Sequence, residues 1–464
     1  MVTSPARRHA LLLLLAVHLL RASTLFVPLF IHDEACIAVQ AETVLHGGHL
    51  YTDTADRKPP LVPYLYAAVF AVRGSADLIA VHELAIFFVW LTAMVLAREA
   101  GRGASWLFVA TSTSFLPVDV MAANFELFML LPASLAMLVA RRRGPMSALA
   151  AGALVALAAL CKQTALVMVL PVAYRVSRHG PRSVVAMVLG MTGTLALAAA
   201  AWPGLVFWTM TGNGGYLAID GVVQQVIPRL VGMTAAFGAA TAGLWWLVAR
   251  GWTARLEHLD WWLWLFANVI AVSAGLRFFG HYYLHLLPAA CAIAATAFPE
   301  VAAVTQRRIV AYTALAAVVF AMLGFWGRQL HSMPDYRPLA AEVARRTGPD
   351  DRVEIWGNYP EVLWAADRRS ASRFVHSNFL TGFSSGRALG PQTVASVTPG
   401  AWRMWIDDVE AHPPALLLDT SPSGMREYGR YPMRDFPLLR VYVEQHYRRV
   451  ATFDGVDLYE RASR

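Results

Sequence analysis

Three side chains suited to group-transfer chemistry stand close together in the polar stretch 32–77, which follows the first apolar run: Asp33, Glu34 and Lys58. A carboxylate beside an acceptor hydroxyl or amine can take its proton. An ammonium is a compact point charge suited to a phosphate. Only two of the 39 Lys and Arg residues are lysines, Lys58 and Lys162. A chain that otherwise uses arginine has kept an ammonium here. Pro59 and Pro60 fix the backbone that follows it, and Arg57 adds a second positive charge. Simpler roles stay open. Asp33 and Glu34 could cap the helix that follows them, and Lys58 could anchor among lipid headgroups.

Further candidates lie elsewhere. Asn124-Phe125-Glu126 opens an apolar helix, so Glu126 is either a helix cap or a second catalytic carboxylate. Lys162 separates two apolar runs and is read as a phosphate contact or as a solvated break. Arg277, His281 and Tyr282 belong to the dense polar–aromatic segment RFFGHYY, which could cradle a phosphate or form an aromatic belt. Cys36, Cys161 and Cys291 have no metal-type spacing. No metal site and no cofactor is predicted, and nothing in the sequence supports a divalent ion.

The elements that must position these residues are mostly membrane spans. The 464-residue chain is 57% hydrophobic and 15% charged, against about 25% charged in soluble domains. Apolar runs recur over 1–330, and they predict about eleven spans: 10–31, 78–98, 104–118, 125–140, 146–161, 164–177, 183–209, 229–249, 260–276, 281–298 and 308–326. The first is interrupted by Arg21, which needs a polar partner or must snorkel. A cleaved signal peptide is the alternative for this segment. With these spans the arginine clusters (7/8, 98/102, 141–143, 175/178/182, 250/255, 307/308) fall on one side, which the positive-inside rule makes cytoplasmic. The 32–77 loop, Glu126, Lys162, Arg277 and His281 then fall on the outer side. The Tyr-rich segment 60–72 reads as a helix lying in the interface. The net charge of +8 is accounted for by topology, so no nucleic-acid partner is expected.

From 331 to 464 charge becomes dense and apolar runs shorten. Helical segments (337–346, 360–366, 401–410, 437–445) alternate with strand-like ones (352–356, 415–419, 458–460). That alternation predicts an extracytoplasmic α/β domain. The glycine-rich segment 382–390 reads as a loop.

In order and sidedness these motifs resemble the GT-C glycosyltransferases. The branch is that of protein mannosyltransferases and aminoarabinose transferases (glycosyltransferase family 39/83-like). The matching features are the Asp33-Glu34 pair after the first span, Lys58-Pro59-Pro60, Asn124-Phe125-Glu126, and RFFGHYY followed by Leu286-Leu287-Pro288. Ile355 to Glu361 and Phe374 to Phe379 look like the C-terminal region of bacterial members. The resemblance implies an integral-membrane enzyme that moves a sugar, with inversion, from a polyprenyl-phosphate donor to a cell-envelope acceptor. It implies Asp33 as base or orienting carboxylate; Glu34 and Glu126 are the carboxylates that could assist it. It implies Lys58 at the donor phosphate; by the residue reading above, Arg57, Arg277, His281, Tyr282 and Lys162 are further candidate contacts. A multi-pass protein of the plasma or inner membrane is expected, and the charge pattern of the loops places its N-terminus in the cytoplasm. Arg57 departs from the pattern, because aminoarabinose transferases carry an acidic residue, implicated in metal binding, before that lysine. Two other classes fit the residues less fully: a transporter of lipid-linked sugars and a non-catalytic membrane scaffold.

Overall fold

The computed structural model describes residues 4–213, 222–330, 333–383 and 397–462. The segment 382–390 and the loop after Met210 lie largely outside them. The chain divides into two compact units. One comprises residues 1–31, 78–201 and 226–332, and the other comprises 32–77, 202–225 and 333–464.

The first unit is helical. Among the described residues five helices are long and apolar enough to cross a membrane: Leu78–Glu99, Pro181–Ala201, Leu259–Leu276, Gly280–Glu300 and Ala303–Leu330. A sixth is reached if Gln224–Ala240 and Ala242–Ala254, bent by 87° at their junction, form one span. Phe125–Val139 and Pro145–Cys161 are apolar but shorter. Several of the eleven expected runs are therefore short or broken helices. Apolarity marks a segment as buried or lipid-facing, but it does not say where the helix ends. Pro145–Cys161 and Pro181–Ala201 pack backbone to backbone through two glycines. A methyl group at Gly152 or Gly190 would meet the opposing carbonyl of Met187 or Leu149 at about 2 Å, a close approach open only to small residues.

The first expected span, 10–31, is shorter than expected. Pro5–Leu20 is helical, with the Ser4 hydroxyl accepting from Arg7 N and Pro5 at the first turn. The helix ends at Arg21, which is 1% exposed. Its guanidinium donates to the carbonyls of Val120 (2.8 Å) and Met121 (2.9 Å). Arg21 thus has the polar partner that an arginine in this run needs, and it does not snorkel. It ends the helix and bonds to backbone that the short Pro117–Val120 helix leaves open.

The second unit gathers the first polar loop and the C-terminal segment. Its five-stranded sheet has the order β2-β1-β3-β5-β4. The strands are β1 (Arg352–Trp356), β2 (Arg369–Ser370), β3 (Leu416–Asp419), β4 (Tyr447–Phe453) and β5 (Val456–Arg461). β1 runs parallel to β2 and β3, whereas β5 is antiparallel to both β3 and β4. The β4–β5 hairpin turns at Asp454 and Gly455, both with positive φ (48° and 78°), as a tight two-residue turn requires. Helices Arg337–Arg346, Pro360–Ala366, Ala401–Ala411 and Pro437–His446 flank the sheet sequence, close to the expected helical segments. β2 and β4 are additional to the expected strands.

Two helices of this unit come from the first loop: His32–Leu45 and Leu61–Arg73, the latter closed by Gly74 in the left-handed region (φ 69°). The loop is tied to the C-terminal segment by bonds from Ala55 N to Arg373 O (2.9 Å) and from Trp364 Nε1 to Ala76 O (2.9 Å).

Candidate active site

His32, Asp33 and Glu34 form the first turn of the His32–Leu45 helix, where acidic side chains are favoured. Glu34 is fully buried, near Tyr66 of the Leu61–Arg73 helix. Asp33 projects differently. One carboxylate oxygen lies 2.9 Å from Lys58 Nζ, and the other lies 3.2 Å from His32 Nε2. The side chains of Asp33 and Lys58 are 19% and 22% exposed, so this pair has access to solvent where Glu34 has none.

The segment carrying Lys58 is held from several sides. Tyr51 OH donates to the Lys58 carbonyl (2.8 Å). Asp56 accepts from Arg57 N (2.6 Å) and from Gln40 Nε2 (3.3 Å). Burial alone would lower the Lys58 pKa, but the Asp33 and Asp56 carboxylates outweigh it and raise the pKa well above the ordinary lysine value. Lys58 is therefore a permanent cation. The Arg57 guanidinium sits 4.5 Å over the ring of Phe379, which stacks on His376 (5.2 Å, 3° between planes). His376 is driven down to about 4 by burial in the first place, with Arg57, His32 and Lys58 adding to it. It is neutral at pH 7. Glu361 pairs with Arg426, whose guanidinium also donates to Asn358 O.

The residues of this cluster come from three stretches: 32–34, 56–58 and 358–426. Asp33, Glu34, Arg57 and Lys58 stand out in the sequence as site candidates. His32, Asp56 and Arg426 do not, and Glu361 and His376 appear there only within segments of family likeness. His32 was legible as the neighbour of the acidic pair, whereas the other four become relevant only through folding.

A second cluster lies within the helical unit. The Asn124 side chain accepts from Phe125 N (2.8 Å) and caps the Phe125–Val139 helix, which places Glu126 in its first turn. Glu126 is fully buried, and its carboxylate lies 2.7 Å from Lys162 Nζ. Lys162 stands at the end of Pro145–Cys161, where the backbone turns extended. It is only 6% exposed, so the break holds a buried lysine, not a solvated one. Its ammonium also lies 5.0 Å from the centre of the Tyr282 ring. His281 sits between two carboxylates, with Nδ1 2.7 Å from Asp119 and Nε2 3.9 Å from Glu126. Gly280 permits this approach, since a Cβ there would meet Asp119 Oδ2 at 2.6 Å. Arg277 is buried, and its carbonyl accepts from Arg229. Asp119 is the member of this cluster that the sequence reading did not single out.

Among the described residues, no group of three or more His, Cys, Asp or Glu side chains is arranged to hold a metal ion. Arg57 stands as a cation beside Phe379.

No protein-family model matches the chain, and no curated protein matches its sequence. Solved structures do match its fold. ArnT from Cupriavidus metallidurans bound to undecaprenyl phosphate superposes with a TM-score of 0.62 at 13% identity, covering 97% of each chain. ArnT from the same organism in the apo state gives 0.58 at 13% identity, covering 92% of each. The chain is thus a polytopic α-helical membrane protein with a small C-terminal sheet. Its fold is ArnT-like.

Proposed function

We infer that the protein is an integral-membrane glycosyltransferase. It would move a sugar from a polyprenyl-phosphate donor to an acceptor in the cell envelope, with inversion at the anomeric carbon. The observation that carries this reading is the Asp33–Lys58 pair at 2.9 Å, with the Arg57 cation next in sequence. A carboxylate for acceptor activation and a permanent cation for a departing phosphate stand side by side, on a fold shared with a protein that binds undecaprenyl phosphate.

In this mechanism the donor phosphate meets Lys58 and Arg57. These cations are in place before reaction, so they stabilise charge that builds on the leaving phosphate without reorganising. Asp33 serves the acceptor. Glu34 is buried beneath it and holds the helix start. Glu126 and Lys162 neutralise each other, and Asp119 bonds to His281. We assign both pairs to fixing the helix ends that carry them. The plasma or inner membrane is the proposed location, with the N-terminus cytoplasmic and residues 331–464 outside.

The test is to reconstitute purified protein in liposomes with labelled undecaprenyl phosphate hexoses and pentoses, together with envelope extract. Release of undecaprenyl phosphate with labelling of an acceptor supports the reading. Donor translocation without turnover, or no response to any donor, overturns it.

A further inference from the structure

His32 has no role in the reading above, yet it touches the residue at its centre. Its Nε2 lies 3.2 Å from Asp33 Oδ1, while Lys58 holds Asp33 Oδ2 at 2.9 Å. Both Asp33 oxygens are engaged, and a carboxylate paired with an ammonium is a weak proton acceptor. The His32 side chain is 36% exposed. With the proton on Nε2 directed at Asp33, the lone pair is on Nδ1. A carboxylate that fixes a histidine tautomer and steadies the imidazolium is the arrangement by which a neutral imidazole becomes a general base.

We propose that His32 Nδ1 takes the acceptor's proton and that Asp33 is the carboxylate positioning it. This rests on the glycosyl-transfer reading. As the acceptor oxygen or nitrogen bonds to the anomeric carbon, the bond from that carbon to the phosphate oxygen breaks. The electron pair leaves with polyprenyl phosphate, and the proton passes to His32, which then releases it to water. Lys58 thus serves twice, at the leaving phosphate and in holding the Asp33 carboxylate toward His32. The charged groups acting on His32 are Asp33 and Lys58 from the first loop, and Glu361 and Arg426 from the C-terminal segment. His376 also couples to it. Burial is the main influence on its titration and lowers its pKa from the ordinary histidine value, with the Asp33 carboxylate opposing.

The experiment uses the full-length protein in liposomes with undecaprenyl phosphate donors. His32→Gln is expected to lower kcat by about 100-fold or more while leaving the donor KM nearly unchanged. His32→Ala is expected to regain turnover when imidazole is added, which a purely structural role would not allow. The wild-type kcat/KM is expected to fall as pH drops below the ordinary histidine range. His32→Gln with wild-type kcat, alongside an inactive Asp33→Asn, overturns the proposal and leaves the transfer reading standing. So does a wild-type profile that stays flat from pH 8 down to about 4.5, near the ordinary carboxylate value. Wild-type protein that turns over no donor overturns the transfer reading, and this proposal with it.

Discussion

The Lys58 ammonium lies 2.9 Å from the Asp33 carboxylate, across 25 residues of sequence. Asp33 sits in the first turn of a helix and Lys58 just before a Pro-Pro step, so two rigid backbone features set the distance between them. Asp33→Asn keeps the size of the side chain and removes its charge. It is expected to lower turnover by about 10²- to 10⁴-fold, in a protein that still folds and inserts into the membrane. Donor-turnover assays in liposomes, run beside a thermal melt, check this. Near-wild-type turnover would remove Asp33 from the mechanism.

Lys58→Ala removes the phosphate cation and leaves Asp33 without its ammonium. The expected outcome is a rise in donor KM together with a fall in kcat, since a contact used in both ground and transition states affects both. Lys58→Arg keeps the charge but changes the donor geometry, and it should recover KM more fully than kcat. Steady-state kinetics over a donor titration separates the two. An unchanged KM in Lys58→Ala would place the phosphate elsewhere.

The Glu126–Lys162 pair is buried on both sides. Removing one partner strands a charge away from water, at a cost of about 3–5 kcal/mol. Glu126→Gln and Lys162→Met should each lower the unfolding temperature in detergent by several degrees. The double variant should lose less than the sum of the two. Additive losses in the double-mutant cycle would show that the pair is not coupled.

Glu354 gives the C-terminal segment a pH dependence. It lies on β1, is 3% exposed, and accepts from Trp405 Nε1, Ser372 N and Ser372 Oγ. Burial, only partly offset by those bonds, pushes its pKa up from 4.5 to about 7. The folded state therefore binds a proton more tightly than the unfolded chain does. Its contribution to stability is complete below about pH 4.5 and is lost as pH rises through about 7. The loss is about 3 kcal/mol at most. Melting of the full chain between pH 4.5 and 8 should show this slope, and Glu354→Gln should flatten it. A slope that persists in the variant would assign it to another group.

Much of the architecture was legible locally. A span announces itself by a run of apolar residues, and a helix start by Asn124 or by Pro at the first turn. Strands β1 and β3 appear as RVEIW and ALLLD. The Asp454-Gly455 pair of the β4–β5 hairpin was also written in the chain, though without regular alternation in Tyr447–Phe453 the strand before it was not recognised. Helix lengths were less legible, because lipid-facing and protein-buried residues are equally apolar.

The candidate site divides in the same way. Sequence alone determined which residues carry charge beside the first apolar run, that one of them is a rare lysine, and that the prolines after it stiffen the loop. Those are properties of composition and local backbone geometry. Only the tertiary structure decided that Asp33 lies between Lys58 and His32, that Glu126 is matched by Lys162, and that Arg21 ends a helix by reaching the Val120 and Met121 carbonyls. It also joined the first loop to residues 333–464 in one compact unit. Each of these is a pairing across many residues. It is set by burial and by the need to satisfy charge out of water, and no local pattern encodes it.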